Sequence, residues 1–191
     1  MQPLVDFEIL SNKQLSNLCR KHGLLSFKQA ALYIQQLAYK RNQNKLEFSS
    51  LFNEQCGTCS TKHGFLKLLA DENKFNKLKL KLCILKLNSK NTPKIEAILL
   101  NHKLVYIPEA HTYLQFENQN LDFTFPNSNF FNFKEDILTE IEISHTQIED
   151  FKTRYHKTFL EKWLCENEQL KLSLNELWAI REQCIAALST F

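Results

Sequence analysis

Residues Gln55–His63 read QCGTCSTKH, and they join a turn to a helix. Polar turn residues lead into Cys59, and a helical pattern of apolar residues begins directly behind it. A cysteine at a helix N-terminus lies beside backbone N–H groups that have no helical acceptor, at the positive end of the helix dipole. Both features favour the thiolate over the thiol. This stretch therefore predicts an activated cysteine, and we expect the rest of the chain to be arranged around the helix that carries it.

The composition is that of a globular protein. The chain has 191 residues, of which 43% are hydrophobic and 24% are charged, so we expect a single domain over residues 1–191. A net charge of +3, with lysines spread along the chain, does not favour nucleic acid or an anionic membrane as a partner. No apolar run approaches the roughly 18–20 residues of a membrane span, and the N-terminus does not resemble a signal peptide. We therefore expect a cytoplasmic protein whose six cysteines are reduced.

Helices are predicted at both ends of the chain, in flanks that cover residues 11–41 and 146–188. Four capping-box patterns, in which Ser or Thr is followed three residues later by Gln or Glu, mark where these helices begin. The four predicted helices run from Ser11 to about Lys21, from Ser26 to about Arg41, from Thr146 to about Glu166, and from Ser173 to about Leu188. Their apolar residues recur at three- and four-residue spacing, so each helix should bury one face.

The middle of the chain mixes helix and strand. Residues 60–71 have the apolar stripe of a further helix, and residues 78–84 alternate with the period of a strand. A short helix is predicted over residues 92–100, followed by a hairpin of residues 109–117 and 121–125 with Asn118–Asn120 as its turn. Helices, a small antiparallel sheet and further helices in this order indicate the α+β class.

The predicted hairpin places a histidine and an aspartate close together. Residues two apart on a strand share a face, so His111 lies on the polar face of the first strand and Asp122 on the polar face of the second. With the turn near Gln119, the two residues are cross-strand neighbours whose Cβ atoms are about 5 Å apart. An aspartate in that position fixes the tautomer of a histidine and stabilises its charged form. Together with Cys59, these residues supply a nucleophile, a base and an orienting group.

The order of these motifs resembles the transglutaminase-like branch of the papain-like cysteine enzymes. In that superfamily a G-x-C pattern opens a helix, a histidine begins a strand, and a D-x-T segment lies on the next strand. Gly57–Cys59, His111 and Asp122–Thr124 match this order, and the similarity covers about residues 50–127. The resemblance implies a papain-like core in which the central helix packs on the small sheet. It also implies Cys59 as nucleophile, His111 as general base and acid, and Asp122 as the orienting group.

The same resemblance implies an oxyanion hole and a substrate class. A glutamine ahead of the cysteine often helps to bind the oxyanion in papain-like enzymes, and Gln55 is the candidate here, beside the backbone N–H of Cys59. Gln55 is only four residues before Cys59, which is shorter than the papain spacing, and Ser60 stands where an aromatic residue often follows the cysteine. The predicted function is cysteine-dependent acyl transfer or hydrolysis at an amide bond of a protein or peptide, with no cofactor. Protease, deamidase and transglutaminase activities use the same triad, so the substrate and the oligomeric state stay open.

Three alternatives use the same residues. Cys56 and Cys59 form a C-x-x-C motif, as in thiol–disulfide redox proteins, although no buried strand leads into it. Cys56, Cys59 and His63 have a zinc-like spacing without a fourth ligand, so no metal is predicted, and His63 is expected to be a partly exposed helix residue. The third alternative is a binding module that keeps the fold without the chemistry.

Overall fold

A computed structural model describes residues 5–128 and 130–189 of the chain. This part of the chain contains seven α-helices and one four-stranded sheet, which confirms the α+β class. The helices are α1 (Gln14–Lys21), α2 (Phe27–Gln36), α3 (Ser50–Asn53), α4 (Cys59–Glu72), α5 (Glu96–Asn101), α6 (Asp150–Glu166) and α7 (Leu174–Leu188). The strands are β1 (Leu78–Asn88), β2 (Tyr106–Phe116), β3 (Gln119–Leu121) and β4 (Ile137–Ile143), in the spatial order β3-β2-β1-β4. Across the described residues, no helix combines the length and the apolarity that crossing a membrane requires.

The chain divides into two compact units. The first comprises the residues up to Leu82, then Thr112–Phe130 and Ile141–Glu149, and it contains α1 to α4. The second comprises Cys83–His111, Phe131–Glu140 and the residues from Asp150 onward, and it contains α5 to α7. Three of the five boundaries along the chain fall inside strands, in β1, β2 and β4. The expectation of one domain over the whole chain stays a prediction.

Helix α4 is the centre of the first unit. Eleven of its fourteen residues are buried, and α1 and α2 pack against it. The helix predicted over residues 60–71 is confirmed, and it is one residue longer at each end. A Cβ on Gly64 would lie 3.0 Å from the Phe48 ring and 3.2 Å from the Ile148 side chain. Residues 59–66 of this helix are all buried, so each polar side chain among them needs a partner inside the protein.

Two of the four predicted capping boxes form where the sequence places them. Ser26 and Ser173 each cap a helix, and Gln29 and Glu176 complete the boxes. The box predicted at Thr146 lies instead at Ser144 with Gln147, ahead of a short 3₁₀ turn and α6. Caps that depend on neighbouring residues alone are the ones that the sequence predicts best.

The start of α1 is capped by another helix, and the box predicted at Ser11 is wrong. The helix begins at Gln14, and its first turn is satisfied by Glu72, the last residue of α4. The backbone N–H groups of Leu15 and Ser16 donate to the Glu72 carboxylate at 3.0 and 2.7 Å, and the Ser16 hydroxyl donates at 2.6 Å. A carboxylate at a helix N-terminus accepts the unpaired N–H groups and complements the dipole.

The hairpin has a different register from the predicted one. Strands β2 and β3 are antiparallel, and their pairs are Leu114 with Leu121, Gln115 with Asn120, and Phe116 with Gln119. The turn is therefore Glu117–Asn118, in which Glu117 has a φ of +52°, and the return strand ends at Leu121. Asp122 follows the last pair of this ladder, so the predicted direct pairing of His111 with Asp122 is wrong by two residues of register.

Candidate active site

Cys59 is the first residue of α4. Thr58 precedes it in an extended conformation, and the Thr58 N–H donates to the Thr61 hydroxyl at 2.9 Å. The Cys59 side chain lies at the positive end of a fourteen-residue helix, as the sequence predicted, and it is only 5% exposed. A thiol in this position is favoured as thiolate by the helix dipole.

Gly57 is required by the packing in front of α4. Its N–H donates to the carbonyl of Ala38 at 2.9 Å, which fixes the segment before Cys59 alongside the end of α2. A Cβ at residue 57 would collide with Cδ2 of Leu51 and lie 2.9 Å from the Thr61 hydroxyl oxygen. The glycine of the G-x-C pattern is therefore set by close packing against the first turn of the helix.

We expect Gly57→Ala to lower the free energy of unfolding by about 1–3 kcal/mol, since an added methyl group in a packed region forces its neighbours apart. Urea unfolding measures this change. The double variant Gly57→Ala with Leu51→Ala is the control, because removing the Leu51 side chain removes the main collision. If the two substitutions lower the free energy of unfolding by strictly additive amounts, the collision with Leu51 is not the cause of the loss in Gly57→Ala.

His63 connects the first turn of α4 to the segment that follows β3. Its Nδ1 lies 2.8 Å from the carbonyl oxygen of Cys59, and its Nε2 accepts the backbone N–H of Phe123 at 2.8 Å. A carbonyl can only accept and a backbone N–H can only donate, so the ring is the neutral tautomer with its proton on Nδ1. Asp122 Oδ1 lies 3.4 Å from Nε2, but no proton is left to join these two atoms.

This arrangement corrects the interpretation of His63 as a partly exposed residue. The side chain is fully buried, because α4 has no exposed face in its first turns. Both ring nitrogens are engaged by backbone groups, so neither offers a free lone pair to a zinc ion or to a thiol proton. His63 acts as a structural link between Cys59 and the segment that carries Asp122.

Asp122 is held by its own local turn. Its Oδ1 accepts the backbone N–H of Thr124 at 3.0 Å and the Thr124 hydroxyl at 2.6 Å, and the side chain is buried. Asp side chains commonly bind the backbone two residues on in this way. The threonine of the D-x-T segment therefore fixes the carboxylate of Asp122.

Lys62 was missed by the sequence reasoning. Its side chain is fully buried, and its Nζ donates to the carbonyls of Leu37 at 2.6 Å and Thr124 at 2.8 Å. Burial lowers the pKa of Lys62 to about 8, against the opposing influence of Asp122, Cys59 and Cys56. The signal in the sequence was that Lys62 precedes Phe65, Leu66 and Leu69 by three, four and seven residues, which places it on the apolar face of the helix.

Several other cysteines have no activating surroundings. Burial and the Glu54 carboxylate raise the pKa of Cys56, whereas the thiols of redox C-x-x-C motifs have a lowered pKa. Burial raises the pKa of Cys19 to about 12 and that of Cys184 to about 11. Cys165 is exposed. The redox alternative therefore loses its main physical support.

The side chain of Gln55 is engaged elsewhere. Its Nε2 donates to the carbonyl of Phe52 at 2.6 Å and to the hydroxyl of Tyr33 at 2.9 Å. An amide nitrogen has two hydrogens, so both are used in these contacts. This counts against Gln55 as oxyanion donor, and the backbone N–H of Cys59 stays the other candidate predicted from the sequence.

His111 belongs to the second unit, whereas Cys59 and Asp122 belong to the first. The His111 side chain is half-buried, and its ring meets that of Phe133 edge-on, with 5.0 Å between centroids. Within the first unit, His63 and Lys62 connect Cys59 with the segment of Asp122. The role of His111 as general base stays a prediction from the sequence.

Comparison of the chain with protein-family models, with curated proteins and with solved structures gave no match. The transglutaminase-like resemblance is therefore an interpretation of short motifs. The function proposed below depends on those motifs and on the contacts around Cys59.

Proposed function

We propose that this protein is a cysteine-dependent acyltransferase or hydrolase that acts on amide or thioester carbonyl groups of a protein or peptide. The observation that carries the proposal is the position of Cys59 as the first residue of α4, with the buried Lys62 one turn further along the same helix. The helix terminus and the ammonium group both favour a negative charge on the sulfur. A thiolate that is formed before substrate binds is what nucleophilic catalysis by cysteine needs.

The reaction proceeds through a covalent intermediate. The Cys59 thiolate attacks the carbonyl carbon and a C–S bond forms. The carbonyl oxygen becomes an oxyanion, which accepts a hydrogen bond from the backbone N–H of Cys59. His111, in its predicted role, gives a proton to the leaving amine as the C–N bond breaks. Water or an amine then attacks the thioester, passes a proton to His111 and releases the thiolate.

Residue-mapped alkylation with iodoacetamide at about pH 6 tests the activated thiol. We expect Cys59 to react faster than the exposed Cys165, because only a thiolate is nucleophilic and exposure alone does not create one. His111→Ala should slow the reaction of Cys59 if the histidine carries the complementary charge. Alkylation of Cys165 with no reaction at Cys59 would contradict the proposal, and preferred reaction at Cys56 would favour the redox alternative.

A further inference from the structure

We infer that the Lys62 ammonium group holds the Cys59 thiol in its ionised form, as a buried positioning residue that does not touch substrate. The inference rests on the proposed role of Cys59 as nucleophile. The ionisation of the thiol can nevertheless be measured without any substrate, so it is tested separately from the reaction.

The geometry around Lys62 is that of a fixed internal cation. Residues three apart on a helix lie on the same face, so Lys62 follows Cys59 along one side of α4. Two of the three N–H donors of its ammonium group are taken by the carbonyls of Leu37 and Thr124. One donor and the full positive charge are left to the anionic groups around it. Burying a charged lysine costs free energy unless a negative charge lies beside it.

Charged and titratable side chains from three segments lie around Lys62 and Cys59. On α4 they are Lys62 and the neutral His63, and from the segment after β3 comes the Asp122 carboxylate. From the segment before α4 comes Cys56, which in turn faces Glu54 and Lys40. Lys62 is a cation that interacts with both Cys59 and Asp122.

Asp122 makes this cation necessary. A carboxylate held beside the site opposes a second negative charge on Cys59, since like charges disfavour each other's ionised forms. The Lys62 ammonium offsets the Asp122 charge and leaves the thiolate stable. Removing the lysine therefore has two effects of the same sign: the thiolate loses a cation, and the neighbouring carboxylate is no longer compensated.

The Lys62 side chain keeps its positive charge at neutral pH. Burial lowers the pKa of Lys62 to about 8, while the neighbouring Asp122 and Cys59 act in the opposite direction. At pH 7 a lysine with a pKa of about 8 is still roughly nine-tenths charged, so the cation is present where the enzyme would work.

The decisive measurement is the pH profile of Cys59 alkylation by iodoacetamide in the intact protein. In Lys62→Met we expect its midpoint to rise by about one pH unit or more, with roughly tenfold slower alkylation near pH 6. Lys67→Met is the matched control, because Lys67 lies on the same helix but pairs with Asp71. Its profile should equal that of the unaltered protein. An unchanged midpoint in folded Lys62→Met would overturn the inference.

A reciprocal measurement decides the question if Lys62→Met does not fold. Nitrogen NMR of labelled lysine side chains follows the titration of Lys62 in the unaltered protein and in Cys59→Ala. We expect the Lys62 midpoint to fall in Cys59→Ala, because the thiolate that supports the ammonium is gone; an equal midpoint overturns the inference. If the unaltered protein transfers acyl groups but the alkylation profile of Lys62→Met is unchanged, only the role of Lys62 is refuted. If the profile of Lys62→Met is shifted but the unaltered protein transfers no acyl group, only the proposed function is refuted.

Discussion

Cys59→Ala is expected to abolish acyl transfer, with kcat/KM lowered by about 10³-fold or more, because the proposed reaction passes through a thioester on Cys59. The substitution removes one sulfur atom from a buried side chain, so the fold should be kept. p-Nitrophenyl acetate is a suitable probe, since any nucleophilic cysteine can accept its acetyl group. The unaltered protein should show a burst of nitrophenol of about one equivalent per chain, and mass spectrometry should place one acetyl group on Cys59.

The matched control for this experiment is Cys165→Ala, which removes an exposed cysteine from α6. It should leave the burst unchanged. A burst of full size in Cys59→Ala would show that another nucleophile carries the reaction. Acetylation of Cys165 or of a lysine at a comparable rate would show that the ester acylates exposed side chains non-specifically, and it would contradict the prediction.

Arg181→Met is expected to lower the free energy of unfolding by about 3–5 kcal/mol, the usual result of removing one partner of a buried ion pair. In the second unit, Arg181 on α7 donates from Nε and Nη2 to the two carboxylate oxygens of Glu109 on β2, at 2.7 and 2.5 Å. Both side chains are largely buried. Burial works against ionisation of Glu109, but Arg181 and His156 lower its pKa overall. Without the guanidinium, a carboxylate remains in the interior with its compensating charge gone.

The pH dependence of this loss has a definite sign. In the unaltered protein the lowered pKa of Glu109 contributes stability above the pKa of an unfolded glutamate, and this stability disappears as the pH falls through the folded value. In Arg181→Met, burial acts on Glu109 without its main opponent, so the carboxyl takes up a proton more readily. The deficit of the variant should therefore shrink between pH 7 and pH 5.

Urea unfolding at both pH values measures this effect. Arg154→Met, at an exposed position of α6, is the control and should change stability by less than about 0.5 kcal/mol. Glu109→Gln combined with Arg181→Met should recover part of the loss, because the uncompensated charge is gone. A cost of Arg181→Met below about 1 kcal/mol at pH 7 would contradict the prediction.

The sequence predicted those features of the fold that are determined by residues close together along the chain. The boxes at Ser26 and Ser173, the extent of α4 and the position of Cys59 at its start all follow from residues a few positions apart. The hairpin was predicted with its turn displaced, because Asn118–Asn120 is a better turn sequence than the Glu117–Asn118 that forms it. One residue with a positive φ was enough to move the register.

The rest depends on contacts between distant residues. His63 was expected to be partly exposed, yet it is buried and its Nε2 accepts the N–H of Phe123, 60 residues away. His156 is likewise buried, and its Nε2 lies 2.9 Å from the carbonyl oxygen of Pro108, 48 residues away. The buried Lys62 is the clearest case, since its carbonyl partners are 25 and 62 residues away. Buried polar residues of this helix form their hydrogen bonds with groups that the tertiary structure places beside them.

The cap that Glu72 places on α1 makes the two helices depend on each other during folding. A helix of eight residues without a cap of its own is barely stable in isolation, so α1 should persist only once the last turn of α4 has formed. The amide hydrogens of Leu15 and Ser16 bond to a side chain at the far end of that helix. Their exchange with solvent deuterium should therefore report the opening of α4, and α1 and α4 should behave as one cooperative folding element.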